Sequence, residues 1–511
     1  MARVLTNNSA LSVAKEAAVG NATVIGVLPG EGSQAGTAEW FKLEPNSFGT
    51  AGATTESEAR SPISANRQRR KGTITDLNSA MDFEQDLTLS AIDQFIEGFM
   101  FSRFVGSDRI NPTSADANSF TVPVGPNLVA NTYVYFRGSS VVENNGLKLV
   151  GAGSTTTDIV IDGGLTAQAT LNQNERLEVC GFLSAAGDLD VSVTDGVVTV
   201  TSSANRFNDA GLNLTPGQAV FFGSDTVGGS GSFTTPINHG YARIVSVAAN
   251  GSSVIIDRTA GTWVTESNTT SAVQFYSSSF VRNVDTGDSD FRETSYQFET
   301  TFAGLDAVGS DAYEYSKGNY CNTFPIEIPL TSKATCSPTF IGTDTTPPTS
   351  TRKTGASAAL EPTKTEAFNT TQDMARLRIS NTDETGLTTD FKSLTVTLNN
   401  NVAPEKVLNQ LGARFMNYGN FEVSIEAQCL FTEKAVTSAI RNNDTVSMDF
   451  GLRNGDGALF IDIPAMTLGG GGRDFPVNQT VLINLTADAF VDPILGTSLG
   501  VSVFAFIPDY D

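Results

Sequence analysis

The residue patterns that could carry chemistry in this chain each fall short of a site. Histidine is the usual general base, and the 511 residues hold one, His239, in PINHGYARIV, where its neighbours put it on a turn or loop between strands. The run GGSGS (Gly228 to Ser232) lacks the second glycine of a nucleophile elbow and reads as a flexible loop. A phosphate-binding loop needs Lys followed by Ser or Thr; GGGGR (Gly469 to Arg473) has neither, and reads as a tight turn between strands or between subunits. RNGDGAL and the scattered Asp residues do not keep calcium-loop spacing, and no Cys/His cluster has zinc spacing. No catalytic, cofactor-binding or metal-ligating residue is assigned, and no cofactor is expected.

Charge is more informative. The composition gives 32 Lys+Arg against 55 Asp+Glu, a formal net charge of −23, which excludes a broad basic face for gripping a phosphate backbone. A negative wall does the opposite, repelling DNA so that it passes without sticking. Asp82, Glu84 and Asp86 alternate with Met81, Phe83, Gln85 and Leu87, so one side of that strand is acidic and the other largely apolar. The acidic side faces either a channel or outer solvent. The one basic cluster, Arg67, Arg69, Arg70 and Lys71, reads as a solvated turn or as a contact meeting a neighbour's acidic rim, with DNA binding a third reading. The 4 cysteines (Cys180, Cys321, Cys336, Cys429) are too few for a disulfide framework. Cys321 and Cys336 could pair across a loop, but buried free thiols are the reading the compartment favours. The opening MARVLTNNSALSVAKEAAVGNATVIGVLPG holds no apolar run of signal length, and no membrane segment is expected anywhere.

The elements that carry these residues follow one order twice. A strand MDFEQDL (Met81 to Leu87) leads into a helix LSAIDQFIEGFM (Leu89 to Met100), and FPIEIPL (Phe324 to Leu330) follows later. Then FEVSIEAQCLF (Phe421 to Phe431) leads into EKAVTSAI (Glu433 to Ile440), and LFIDIPAM (Leu459 to Met466) follows. Ser90 with Asp93 suits a capping box, and Ile92, Phe95, Ile96 and Phe99 form one apolar face, predicting an amphipathic helix. A short helix is predicted near Leu11 to Ala18, and another from Pro404 through VLNQL to a stop at Gly412. RNGDGALFIDIP predicts a hairpin.

The chain is mainly β: 47 Gly and Thr/Ser clusters separate short runs rich in Val, Ile and Phe. We divide it into an N-terminal arm (1–38), a discontinuous first block (39–105 plus 286–341), an insertion (106–285), a linker (342–366) and a second block (367–511). The insertion carries its own echo. VYFRG, NGLKLV and DIVID (from Val134) are matched by VFFG, HGYARIV and SVIID (from Val220), with 11 residues from Leu149 to Val160 and from Ile244 to Ile255. This suggests two inserted β-modules, about 106–195 and 196–285.

Several of these segments resemble the major tail tube proteins of long, flexible-tailed bacteriophages: LEPNSFG, SPISANRQRRKGTITDLNSAMDFEQDLTLSAIDQFIEGF, the stretch from GLTTDFKSLTVTLNNN to AVTSAIRNN, and IDIPAMTLGGGGRDFPVN. They lie within Trp40 to Phe104 and Leu387 to Phe504. The resemblance implies two β-sandwich blocks with flanking short helices, plus the inserted β-modules. It further implies rings that close a β-barrel around a channel for DNA and stack helically through loops and arms. With two blocks per chain a trimer of pseudo-six-fold symmetry is expected, a hexamer being the alternative. Implied partners are further copies of the chain, the tape measure, tail terminator and distal tail proteins, and DNA that crosses the lumen without specific binding. The expected location is the virion tail, assembled in the host cytoplasm. The insertion lies outside that resemblance; it is expected to decorate the outside in an Ig-like manner, stabilising the tube or touching host-surface glycans, so that its removal leaves assembly intact. A monomeric, secreted adhesin or carbohydrate-binding protein is the rival reading, and a glycan hydrolase using paired carboxylates a third.

Overall fold

The computed structural model describes residues 5–6, 9–16, 24–25, 40–63, 68, 70–172, 175–268, 270–305, 309–353, 355–381, 386–388 and 390–509. Strands dominate, and the described residues hold two α-helices, α1 (Leu89–Met100) and α2 (Lys434–Asn442). The expected mainly-β fold is observed, and the two helices fall on the segments LSAIDQFIEGFM and EKAVTSAI, the first read from its apolar periodicity and the second from the repeated element order.

The duplication extends well beyond the segments visible in sequence. In the first block, Ser9–Glu16 pairs with Tyr296–Phe302, which pairs with the long strand Ala312–Pro329. That strand also pairs with Asp344–Thr349 and with the short strands Thr335–Cys336 and Thr339–Gly342. The latter two pair with Gly72–Asp86, and Gly72–Asp86 with Pro45–Ala59. The second block repeats each step. Met374–Asn381 pairs with Thr445–Asn454, and Thr445–Asn454 with the long strand Gly457–Asp474. Gly457–Asp474 pairs with Gly500–Phe504 and Leu482–Ala489. Leu482–Ala489 pairs with Glu422–Leu430, and Glu422–Leu430 with Phe391–Asn399. The blocks meet where Thr323–Pro329 of one pairs with Ser393–Asn399 of the other.

This register separates two motifs that look alike. Ile326 and Glu327 pair with Cys336 and Thr335 at the far end of their strand, whereas Ile461 and Asp462 pair with Phe450 and Asp449 near the start of theirs. IEIP and IDIP are therefore not counterparts; GGGGRD holds the place that IEIP holds in the first block.

Local chemistry accounts for the other differences from expectation. Thr88, not Ser90, caps α1, accepting from the Ala91 amide at 3.1 Å from an extended backbone. Ser90 instead exchanges hydrogen bonds with the Lys364 backbone. Nor is α1 amphipathic in place: every residue but Ser90 is buried, with Phe99 stacked on Phe324 and Phe95 packed on Phe340. Its polar side is covered as well, Glu97 taking Lys15 at 2.7 Å.

Residues 9–16 form a strand instead of a helix, because both faces find cover: Leu11 and Val13 enter the main core, and Ala14 packs with Trp40 and Tyr315. Ala18 lies outside the described residues. The Pro404 helix is absent too. Ala403–Glu405 pairs with Phe415–Asn417, and Leu408 is 98% exposed, so VLNQL has no apolar face to bury. The Asn454–Gly457 hairpin forms as expected. The stretch 342–366, expected as a linker, is packed, contributing Asp344–Thr349 and a buried Lys364.

The insertion's echo lies on matching strands. Thr132–Arg137, Gly146–Val150 and Asp158–Asp162 pair in series, as do Ala219–Phe222, Gly240–Val247 and Ser253–Asp257. A hairpin closes each series on one side, Ser114–Ala115 with Ser119–Thr121 and Leu189–Thr194 with Val197–Ser202. On the other side lie Arg176–Leu183 and Gln274–Ser277, which pair with each other. The halves are thus related by a pseudo-two-fold. They share one core, in which Phe182, Phe207 and Phe275 touch.

Candidate assembly surface

Two surfaces stand out: one sheet face left uncovered among the described residues, and the two ends of that sheet. Met81, Phe83, Ile326, Leu394, Val396, Ile425 and Leu485 point inward to the core that holds α1. Alternation turns their neighbours the other way. Read along the register, Asp86, Thr335, Glu327, Thr395, Glu426 and Thr486 form one row that crosses both blocks, carboxylate and hydroxyl by turns. Asp82, Glu84, Glu422 and Asp488 add acid to the same face. Asp86 is held by Lys333 at 2.7 Å, while Glu327 and Glu426 are exposed. The sequence pointed to Asp82, Glu84 and Asp86; it missed Glu327 and Glu426. The signal was the same single-residue alternation in FPIEIPL and FEVSIEAQ.

At one end of this sheet, Pro45–Ala59 pairs only with Gly72–Asp86 among the described residues. At the other, Gly469–Asp474 pairs only with Leu482–Ala489. GGGGR is thus the terminal half of an edge strand, where Gly470 and Gly471 take positive φ of 77° and 85°, as glycine readily does.

The insertion is fixed to both blocks by buried charge. Arg109 and Lys364 bind Asp93 of α1 at 2.9 and 3.0 Å, and Lys364 reaches Glu178 at 3.0 Å. Burial alone would raise both carboxyls, yet the two cations hold Asp93 and Glu178 below the ordinary carboxylate range. On the second block Arg243 binds Asp462 at 2.7 Å and Asp257 at 2.6 Å, and Arg258 donates to Ser447. Burial raises the Asp462 carboxyl despite Arg243 and Arg258 beside it. Tyr241 stacks on Phe460 at 5.6 Å.

The other sequence candidates do not converge. His239 is buried, bonded to the Ser224 carbonyl at 2.8 Å and edge-on to Phe221, and burial lowers its pKa. All four cysteines are buried and free, and burial pushes the Cys336 and Cys429 thiols up to about 12. Arg70 and Lys71 are exposed, while Arg67 and Arg69 lie outside the described residues. No group of three or more His, Cys, Asp or Glu able to hold a metal occurs among the described residues.

A family model described as phage tail tube protein matches residues 6–486, nearly the whole chain. The chain belongs to that family. No curated protein matches it. It is thus a structural protein of the virion tail. No helix of this tail tube protein is long and apolar enough, among the described residues, to cross a membrane.

Proposed function

We propose that this tail tube protein closes into rings that stack to form the conduit for DNA delivery, with the acidic face lining the lumen. The observation that carries this reading is the uncovered, carboxylate-lined face of a sheet left open at both ends. An open edge is a template for another strand, and a second copy offers the complementary one. Because each chain already joins two equivalent blocks, three copies give six blocks and a closed cycle. The acidic wall supports passage of DNA without retention.

In this division of labour the two blocks build the tube, Ser9–Glu16 and Asp344–Thr349 serving the first. The insertion, 106–285, braces them from outside the barrel. Self-association and contact with the other tail proteins do the work, with no catalytic step, and assembly takes place in the host cytoplasm. Electron microscopy of the purified chain tests the reading: tubes are expected, with Glu327 and Glu426 on the inner wall of the reconstruction. A chain that remains monomeric when concentrated, or tubes with that face outside, would refute it.

A further inference from the structure

We infer that the seam between neighbouring copies is locked by Phe475 of one copy packing on Phe48 of the next, in the register that Ile328 and Leu394 use inside the chain. The inference rests on the ring reading above and names the contact that reading leaves open.

With Asp86 and Leu430 equated as the last residues of the strands that lead into α1 and α2, register assigns the other counterparts. In the first block Asp86 pairs with Thr335 and Thr335 with Glu327; in the second Leu430 pairs with Leu482 and Leu482 with Asp474. Glu327 and Asp474 therefore hold the same place, and Ile328 and Phe475 follow them. On the facing strands, Phe83, three residues before Asp86, pairs with Phe48, and Ala427, three before Leu430, pairs with Leu394. Phe48 and Leu394 are counterparts as well. Inside the chain Ile328 and Leu394 are cross-strand partners, 5% and 1% exposed.

Phe475 has no such cover and is 73% exposed. A large aromatic ring just beyond an edge strand offers a neighbouring copy a broad apolar surface to bury. Phe48, at the opposite end of the sheet, already packs against the core with one side remaining. The edges Gly469–Asp474 and Pro45–Ala59 cannot meet within one chain, since the whole sheet lies between them. A second copy satisfies both at once, and the glycine run lets the two backbones approach closely.

Two variants of the full chain test this. Phe475→Asp should fold with an unchanged melting transition, because the side chain is exposed, yet form no tubes at concentrations where the parent does. Phe48→Cys combined with Phe475→Cys should give, on oxidation of assembled tubes, disulfides between chains, since cross-strand partners lie within bridging distance; a denaturing gel should show a ladder ending at the trimer. Tubes formed by the Asp variant, or assembled tubes whose cysteines do not cross-link, overturn the lock and leave the ring reading standing. A parent chain that never forms rings overturns both.

Discussion

The four groups Asp93, Arg109, Glu178 and Lys364 join two acids to two bases, and none faces open solvent. Removing one member leaves its partner buried and uncompensated, which costs about 3–5 kcal/mol. Glu178→Gln should therefore lower stability by that order at neutral pH, measured by denaturant unfolding. The sign with pH follows from the depressed carboxyls. Their stabilisation is fully present above the unfolded carboxylate range near ~4 and is lost as pH falls through the lower folded values. The gap between parent and variant should stay flat down to about that pH and shrink below it; a gap that shrinks between neutrality and mild acidity would contradict the cluster's role. Sequence placed Asp93 on the right helix but gave it a capping role, because a local pattern is visible at short spacing. Its true partners, Arg109 and Lys364, come from the insertion and the connecting stretch, and nothing in the sequence aligns them.

Among the elements, the two helices and the main strands were legible from apolar periodicity and the repeated element order, and α1 was read to its first and last residue. Strand against helix failed at Leu11 and at Pro404, where the outcome depends on which neighbouring strand supplies cover. The insertion shows the same limit. Its internal echo was readable, whereas the contacts that tie it to both blocks, and that bear on whether it can be removed, were not. Deleting 106–285 strips cover from Phe460, Phe504 and Ala505, which pack with Tyr241 and Tyr276, and takes Arg243 away from Asp462. The expected outcome is an insoluble or unfolded product, seen by circular dichroism and sedimentation; a soluble deletion variant that still forms tubes would favour the decoration reading. A milder probe is Arg243→Ala, expected to destabilise by about 3–5 kcal/mol by stranding Asp462. Replacing Asp462 with Asn in the same chain should recover part of that loss, because the stranded charge is then gone.

At the scale of the whole molecule, the row from Asp86 to Thr486 makes a prediction that no single block could carry. Every carboxylate in it belongs to one sheet face, and in the proposed ring the row would repeat around the lumen. DNA carries one negative charge per about 1.7 Å of axis, so on the proposed reading such a wall would repel its cargo at every level of the stack. Repulsion among like charges opposes close approach and leaves nothing to hold the strand in place. Glu327→Lys with Glu426→Lys reverses two positions of the row in every chain. Both side chains are exposed and face away from the core, so the doubly substituted chain should fold and assemble as the parent does. Tubes of the parent should not retain duplex DNA. Tubes of the variant should retain it, with an affinity that falls steeply as salt rises, because the new cations would release counterions from the phosphates they meet. Nuclease protection then separates the inner wall from the outer. DNA held inside a tube is shielded along its length, whereas DNA bound to an outer lysine patch is cut. Variant tubes that bind only unprotected DNA would put the acidic face on the outside and remove the repulsive conduit from the account.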